Sequence, residues 1–304
     1  MKVLLLGYST IAKKRIINTF LKKKISFCVA SKSTKNKIQG SYNQFNSYED
    51  GLNKSKADIA YISLPNSLHF YWAKLALTKG YHVIVDKPIC LNKSDTKKLI
   101  DISKKNKKLL VEAIYFNYHK QFKQAIKIAG GHHKIIHIEA NFVIPSPDKK
   151  NYRSLKKLGG GALLDMGPYA AAISRIFLKK GITSKIIDIK KNKKKIITSF
   201  KIFSKNSYKT FSGFFKFGGE YQNELLLHTK NRIIKISRVF SPPENLKLPI
   251  SVFTDRSQKV YKTNNDNCFE NFFLEVLTNI KKKKNNVYVK DIIFDSSYID
   301  KITN

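Results

Sequence analysis

The first 115 residues alternate short apolar runs with amphipathic stretches of helical length, and this alternation constrains the fold more than any other feature. Runs at residues 2–7, 25–30, 58–62, 82–85 and 109–113 have the length of buried strands. Residues 11–22, 68–79 and 91–105 have helical spacing, with Ile16, Ile17, Phe20 and Leu21 on the inward side of the first. Strands separated by helices are joined by crossovers, which gives a parallel, doubly wound α/β sheet. Ligands bind such sheets beyond the carboxyl ends of the strands. The turns at those ends therefore carry the functional reading.

The first turn is Gly7-Tyr-Ser9-Thr10-Ile11-Ala12, opening a helix. A dinucleotide fingerprint wants glycine at its first and third positions and glycine or alanine at the sixth. Gly7 and Ala12 comply and Ser9 does not. The placement suits phosphate at a helix amino terminus, although a plain strand-to-helix turn would look similar. The second strand ends in Ser31-Lys32, and the first acidic residue of the chain is Glu49. A site selective for NAD carries an acid there for the ribose hydroxyls. Ser31 and Lys32 instead offer a donor and a cation for a 2′-phosphate, so NADP(H) is preferred over NAD(H). In a lysine-rich chain, an ordinary surface lysine is an equally good account of Lys32. The run at 82–85 stops at Asp86-Lys87-Pro88, which puts Lys87 at a strand end. Glu112, near the end of the last strand, is a candidate for the nicotinamide end.

After Ala129-Gly130-Gly131 the pattern changes. Strand-length runs at 134–144, 185–188, 196–203, 209–217, 223–229 and 232–239 predict an α+β domain with a large, mostly antiparallel, open-faced sheet. A helix is expected over 269–280. The chain is thus read as a Rossmann domain over 1–118 and a substrate-binding and oligomerisation domain over 119–304. Gly159-Gly160-Gly161 permits a tight backbone approach and leads towards Asp165 and Tyr169, four apart and able to share a helix face despite Pro168. An aspartate complementing a helix dipole beside a core tyrosine would give the same pattern. A metal site needs convergent ligands, and His132, His133 and His137 have no suitably spaced carboxylate or cysteine partner, so no metal is expected.

Three stretches together resemble the glucose–fructose oxidoreductase/inositol dehydrogenase (Gfo/Idh/MocA) family. They are Ala57 to His69 with its Pro65-Asn66 pair, Ala76 to Val83, and Asp86-Lys87-Pro88, where Asp86 replaces the family's glutamate. The resemblance implies that Lys87 is the catalytic lysine, that the Lys87–Pro88 bond is cis, and that Leu64, Pro65, Asn66, His69 and Asp86 belong to the cofactor site. The glycine stretch ending in Asp165 and Tyr169 resembles the family's second motif. With Ile11-Ala12 and the basic residues after it, and with Arg153 near the glycines, it is most similar to nucleotide-hexose 3-ketoreductases of deoxysugar pathways. By that resemblance His119 and Arg153 face the substrate and Tyr169 and Asp165 join Lys87 in catalysis. The specific motifs lie within residues 1–180.

Lys+Arg of 58 against Asp+Glu of 21 gives a formal charge of +37. The lysines are dispersed, without a basic tail or nucleic-acid motif, so no nucleic-acid partner is expected. The field would still attract an anionic ligand. Cys28, Cys90 and Cys268 are scattered and suit a reducing cytoplasm. No apolar run approaches the ~20 residues of a bilayer span, so no membrane partner is expected. The expected activity is hydride transfer between a nicotinamide and a sugar, most specifically reduction of a nucleotide-linked keto-hexose. The alternatives are a dehydrogenase of a free sugar, polyol or dihydrodiol, and a cofactor-binding regulator without catalysis. A sheet face free of helices would pair with another copy, giving a homodimer or homotetramer.

Overall fold

The structure is a computed structural model that describes residues 1–32, 34 and 36–303. The chain divides into two compact units. One comprises Met1–Ala113 with Phe272–Ser296, the other Ile114–Asn271 with Ser297–Asn304. The first unit thus ends five residues before the boundary read from the sequence and takes in a later segment that a single cut at 118 leaves out.

In the first unit, β1 (Lys2–Leu6), β2 (Ser26–Ala30), β3 (Ser41–Phe45), β4 (Ile59–Ile62), β5 (His82–Asp86) and β6 (Leu110–Ala113) form one parallel sheet in the order β3-β2-β1-β4-β5-β6. The order reverses between β1 and β4, the topological switch point where doubly wound sheets bind ligands. Val3 to Leu6 and Ile59 to Ile62 are essentially without solvent exposure, as continuous apolar central strands require. A π-helical turn, Ala12–Ile16, runs into α1 (Ile17–Lys22); α2 (Tyr48–Lys54), α3 (His69–Thr78) and α4 (Lys93–Lys105) follow.

β3 and α2 lie outside the elements expected from periodicity. β3 reads Ser-Tyr-Asn-Gln-Phe, with no apolar alternation, and exists through its parallel pairing with β2. α2 is short and starts on Ser47, whose hydroxyl accepts from the Asp50 amide at 3.0 Å. The returning segment packs through Phe273, whose ring lies edge-on to Phe20 at 4.9 Å and tilted to Tyr61 at 5.8 Å.

The second unit is built on an eight-stranded sheet. Its strands are β7 (His137–Ile144), β8 (Thr183–Lys191), β9 (Ile197–Lys205), β10 (Thr210–Phe217), β11 (Gln222–His228), β12 (Ile233–Ser237), β13 (Pro249–Phe253) and β14 (Gln258–Lys262). Their order is β14-β13-β12-β11-β7-β10-β9-β8, antiparallel except for the β7–β10 pair. α5 (Lys120–Ile128) packs on β12 and β13, and α6 (Ala162–Phe177) on β9 and β10. Alternate residues of β7, β10 and β11 are buried, so their other residues line the opposite, more open face. The last two helices, α7 (Cys268–Lys281) and α8 (Val289–Thr303), carry the chain between units. Among the described residues, no helix is long and apolar enough to cross a membrane.

Candidate cofactor-binding and catalytic residues

In the first unit the turn after β1 is fixed by its neighbours. Gly7 has φ +98°, and a Cβ there would lie 2.2 Å from the Ser63 carbonyl oxygen and 2.8 Å from Leu64 Cδ2. No L side chain fits both the backbone and the space. Ser9, standing where the fingerprint has glycine, caps the helix. Its hydroxyl accepts from the Ala12 amide at 3.1 Å and shares a 2.7 Å hydrogen bond with the Ser63 hydroxyl. Thr10 is exposed and Ile11 half-buried, so the amino end of the helix is accessible at Thr10. At the end of β2, Ser31 is buried with its hydroxyl 3.1 Å from that of Thr34, while Lys32 is exposed with its ammonium 5.4 Å from the Tyr48 ring centre.

Lys87 follows β5, and each of its neighbours is anchored. Asp86 accepts from the Ser63 hydroxyl at 2.8 Å and from the Tyr61 hydroxyl. Pro88 presents its carbonyl to His69 Nδ1 at 2.7 Å, and the Ile89 amide donates to Glu112 at 2.9 Å. The Lys87–Pro88 bond is cis. Lys87 itself is half-buried. Burial pushes the Asp86 carboxyl above its ordinary range, against the hydroxyls that favour its charged form.

His69 lies between the loop after β4 and the loop after β5. It is completely buried, and its Nε2 lies 2.8 Å from the Leu64 carbonyl while Nδ1 faces Pro88. Burial pushes its pKa down, opposed by the two carbonyls and by Asp86. Its role is to tie the Leu64-Pro65-Asn66 loop to the Lys87-Pro88 loop. Glu112 likewise has one carboxylate oxygen on the loop after Pro88. Tyr61 and Ser63 were not singled out from sequence. The available signal is their alternation on β4 and just beyond its end, beside the loop that carries Asp86.

In the second unit, a short loop places Gly160 so close to the backbone of Tyr152 and Arg153 that a Cβ would meet their carbonyl oxygens at 2.6 and 2.5 Å. Arg153 is thereby brought to α6, where its Nε donates to Asp165 at 2.9 Å. The Asp165 side chain is 7 % exposed and the Arg153 side chain 31 %. Burial alone would lower the arginine pKa, but Asp165, with Tyr152 and Tyr169, more than reverses this and holds it above its ordinary value. Tyr169, one turn on from Asp165, is half-buried among Phe240, Phe142 and Phe116, with ring centres 5.1, 5.6 and 6.0 Å away. His119 is 1 % exposed. Its Nδ1 accepts from the Gln121 amide at 3.1 Å, capping α5, and its Nε2 lies 3.2 Å from the Asp266 carbonyl. Both ring nitrogens thus have hydrogen-bond partners within the fold.

A parallel sheet in this order, with a glycine turn after β1 and further polar turns after β2, β4 and β5, is the doubly wound α/β architecture whose strand ends receive dinucleotides in other proteins. Residues 1–114 match the model of an oxidoreductase family with an NAD-binding Rossmann fold, Gfo/Idh/MocA. The chain is 32 % identical over 133 residues to a dTDP-3,4-didehydro-2,6-dideoxy-alpha-D-glucose 3-reductase of Streptomyces violaceoruber, covering 43 % of this chain and 39 % of that one. It is 30 % identical over 136 residues to a D-xylose 1-dehydrogenase (NADP(+)) of Haloferax volcanii, covering 44 % and 42 %. These matches thus span about two fifths of the relatives' own length. The fold extends further. A 3-ketoreductase from Actinomadura kijaniata, crystallised with NADP and TDP-benzene, superposes with a TM-score of 0.91 at 20 % identity, covering 100 % of this chain and 97 % of that one.

Proposed function

We propose that this protein is an NADP(H)-dependent oxidoreductase that moves a hydride between the nicotinamide and a sugar carbonyl, with a nucleotide-linked keto-deoxyhexose as substrate. The observation that carries the reading is the fixing of Lys87 at the carboxyl end of β5, with Asp86, Pro88 and Ile89 all anchored around it. The cofactor residues fit a dinucleotide. Gly7 allows close backbone approach, the helix opened by Ser9, Thr10, Ile11 and Ala12 presents its amino end, and Ser31 and Lys32 suit a 2′-phosphate. Leu64, Pro65 and Asn66 are assigned to the nicotinamide half. Asp86, His69 and Glu112 support them by holding the loops.

A bound nicotinamide supplies or accepts the hydride. The carbonyl oxygen gains negative charge as the hydride arrives, so a cation and a proton donor both lower the barrier. Lys87 is assigned the cation, Tyr169 the donor, and Asp165 the residue that orients them, with Arg153 holding Asp165 and reaching substrate. The product alcohol takes the hydride on carbon and the proton on oxygen. The similarity of the 3-ketoreductase relatives supports the nucleotide-sugar assignment. The similarity of the xylose dehydrogenase supports a second reading, oxidation of a free aldose.

The test is binding of NADPH and NADH, followed by the rate of NADPH consumption with dTDP-linked 3-keto-deoxyhexoses and of NADP reduction with free aldoses. Tighter NADPH binding and turnover of the nucleotide sugar are expected. Tighter NADH binding would overturn the roles of Ser31 and Lys32, and turnover of aldoses alone would replace the first substrate by the second.

A further inference from the structure

On the open face of the eight-stranded sheet, His137, Glu139 and His228 converge. We propose that they form a site for a zinc-class divalent cation, independent of the oxidoreductase reading. His137 and Glu139 are two apart on β7 and point to the same face, while His228 pairs directly with His137 across the antiparallel β7–β11 ladder. Their ligand atoms all lie within 4.8 Å of one another. Glu139 Oε1 is 3.6 Å from His137 Nε2 and 2.8 Å from His228 Nε2. Tetrahedral zinc with bonds of 2.0–2.1 Å holds its ligand atoms about 3.3 Å apart, a spacing bracketed by these distances.

Two further observations point to a ligand rather than to a simple polar cluster. His228 Nε2 is buried and makes no hydrogen bond, although a carboxylate oxygen lies 2.8 Å away. With the proton on Nδ1, the Nε2 lone pair faces the carboxylate oxygen, and a cation between the two would receive both. In addition, His137 Nδ1 is held by the Thr210 hydroxyl at 2.6 Å, from the neighbouring strand β10. Such an outer hydrogen bond fixes the ring and leaves Nε2 for a metal. Ser212 lies 3.3 Å from that Nε2 and is the group a cation would displace or recruit.

Two imidazoles and one carboxylate favour Zn²⁺ and its transition-metal neighbours over Mg²⁺ or Ca²⁺, which prefer oxygen alone. The side chains are 28 %, 39 % and 21 % exposed for His137, Glu139 and His228, so solvent can reach the site and supply a fourth ligand. A bound ion would clamp β7 to β11 directly, with β10 supporting it through Thr210. The set is not legible along the chain. Glu139 stands two residues along β7 from His137, and the third ligand, His228, lies 91 residues beyond His137 and is brought opposite it only by strand register.

The test is titration of the tag-free, chelator-stripped chain with Co²⁺, followed by visible absorption and by displacement with Zn²⁺. One equivalent with the intense absorption of a tetrahedral site is expected. His228→Ala and the near-isosteric Glu139→Gln should each weaken binding at least tenfold, while His133→Ala leaves it unchanged. Thermal unfolding in chelator, equal for variants and wild type, checks that the variants fold, and Zn²⁺ should raise the midpoint of the wild type only. Absence of stoichiometric binding, or binding unchanged in both site variants, would overturn the proposal.

Discussion

Ser9 and Ser63 share a 2.7 Å hydrogen bond between their hydroxyls, and Ser63 continues to Asp86 at 2.8 Å. The turns after β1, β4 and β5 are thereby joined through side chains. The departure from the glycine fingerprint at Ser9 has a structural use, since the same hydroxyl also caps the helix.

Replacing Ser9 by Gly restores the fingerprint and removes both bonds. The expected result is a loss of about 1 kcal/mol of stability, read from urea unfolding. Unchanged stability would show that solvent replaces the serine at no cost.

Lys87→Ala should lower turnover at least ~100-fold while NADPH affinity persists, because general acid–base and charge stabilisation contribute to the transition state rather than to cofactor binding. Turnover near that of the wild type would remove Lys87 from the mechanism.

His69→Ala opens a cavity and leaves the Leu64 and Pro88 carbonyls without their ring partner. A loss of about 3 kcal/mol is expected, seen as a lowered thermal midpoint. Weakened NADPH binding should accompany it, because both loops lose their tie.

Arg153→Ala removes the guanidinium that donates to the buried Asp165 carboxylate at 2.9 Å and should cost about 2–3 kcal/mol by urea unfolding. Arg153→Lys should recover part of that. Equal losses for the two variants would mean that the charge is not what the site requires.

His82 accepts from the Leu109 amide through Nδ1 at 3.0 Å, and burial, reinforced by Lys108, lowers its pKa from 6.5 to about 4. Between pH 6.5 and 4 the unfolded chain binds more protons than the folded chain. This contribution to stability is therefore complete above that window and is lost as pH falls through it. Allowing for partial exposure, it amounts to about 1–2 kcal/mol. Urea midpoints at pH 5 and 7.5 for the wild type and His82→Gln should show the smaller pH dependence in the variant.

The amino-acid sequence by itself determined the parallel sheet, because continuous apolar strands alternating with amphipathic helices have few other ways to bury their surface. It also indicated the cis Lys87–Pro88 bond, through the motif that contains it. The alternating runs of the second half indicated a mostly antiparallel sheet. Tertiary structure alone decided what the polar residues at the strand ends do. The fold buries His69 and His119 and sets their ring nitrogens on backbone partners, which no local pattern announces. β3 and the return of Phe272–Ser296 to the first unit were equally hidden, since each depends on a partner far along the chain rather than on a local period. The pairing of His137 with His228 has the same cause. Strand register sets which side chains meet, and register is fixed by the packed face of the whole sheet.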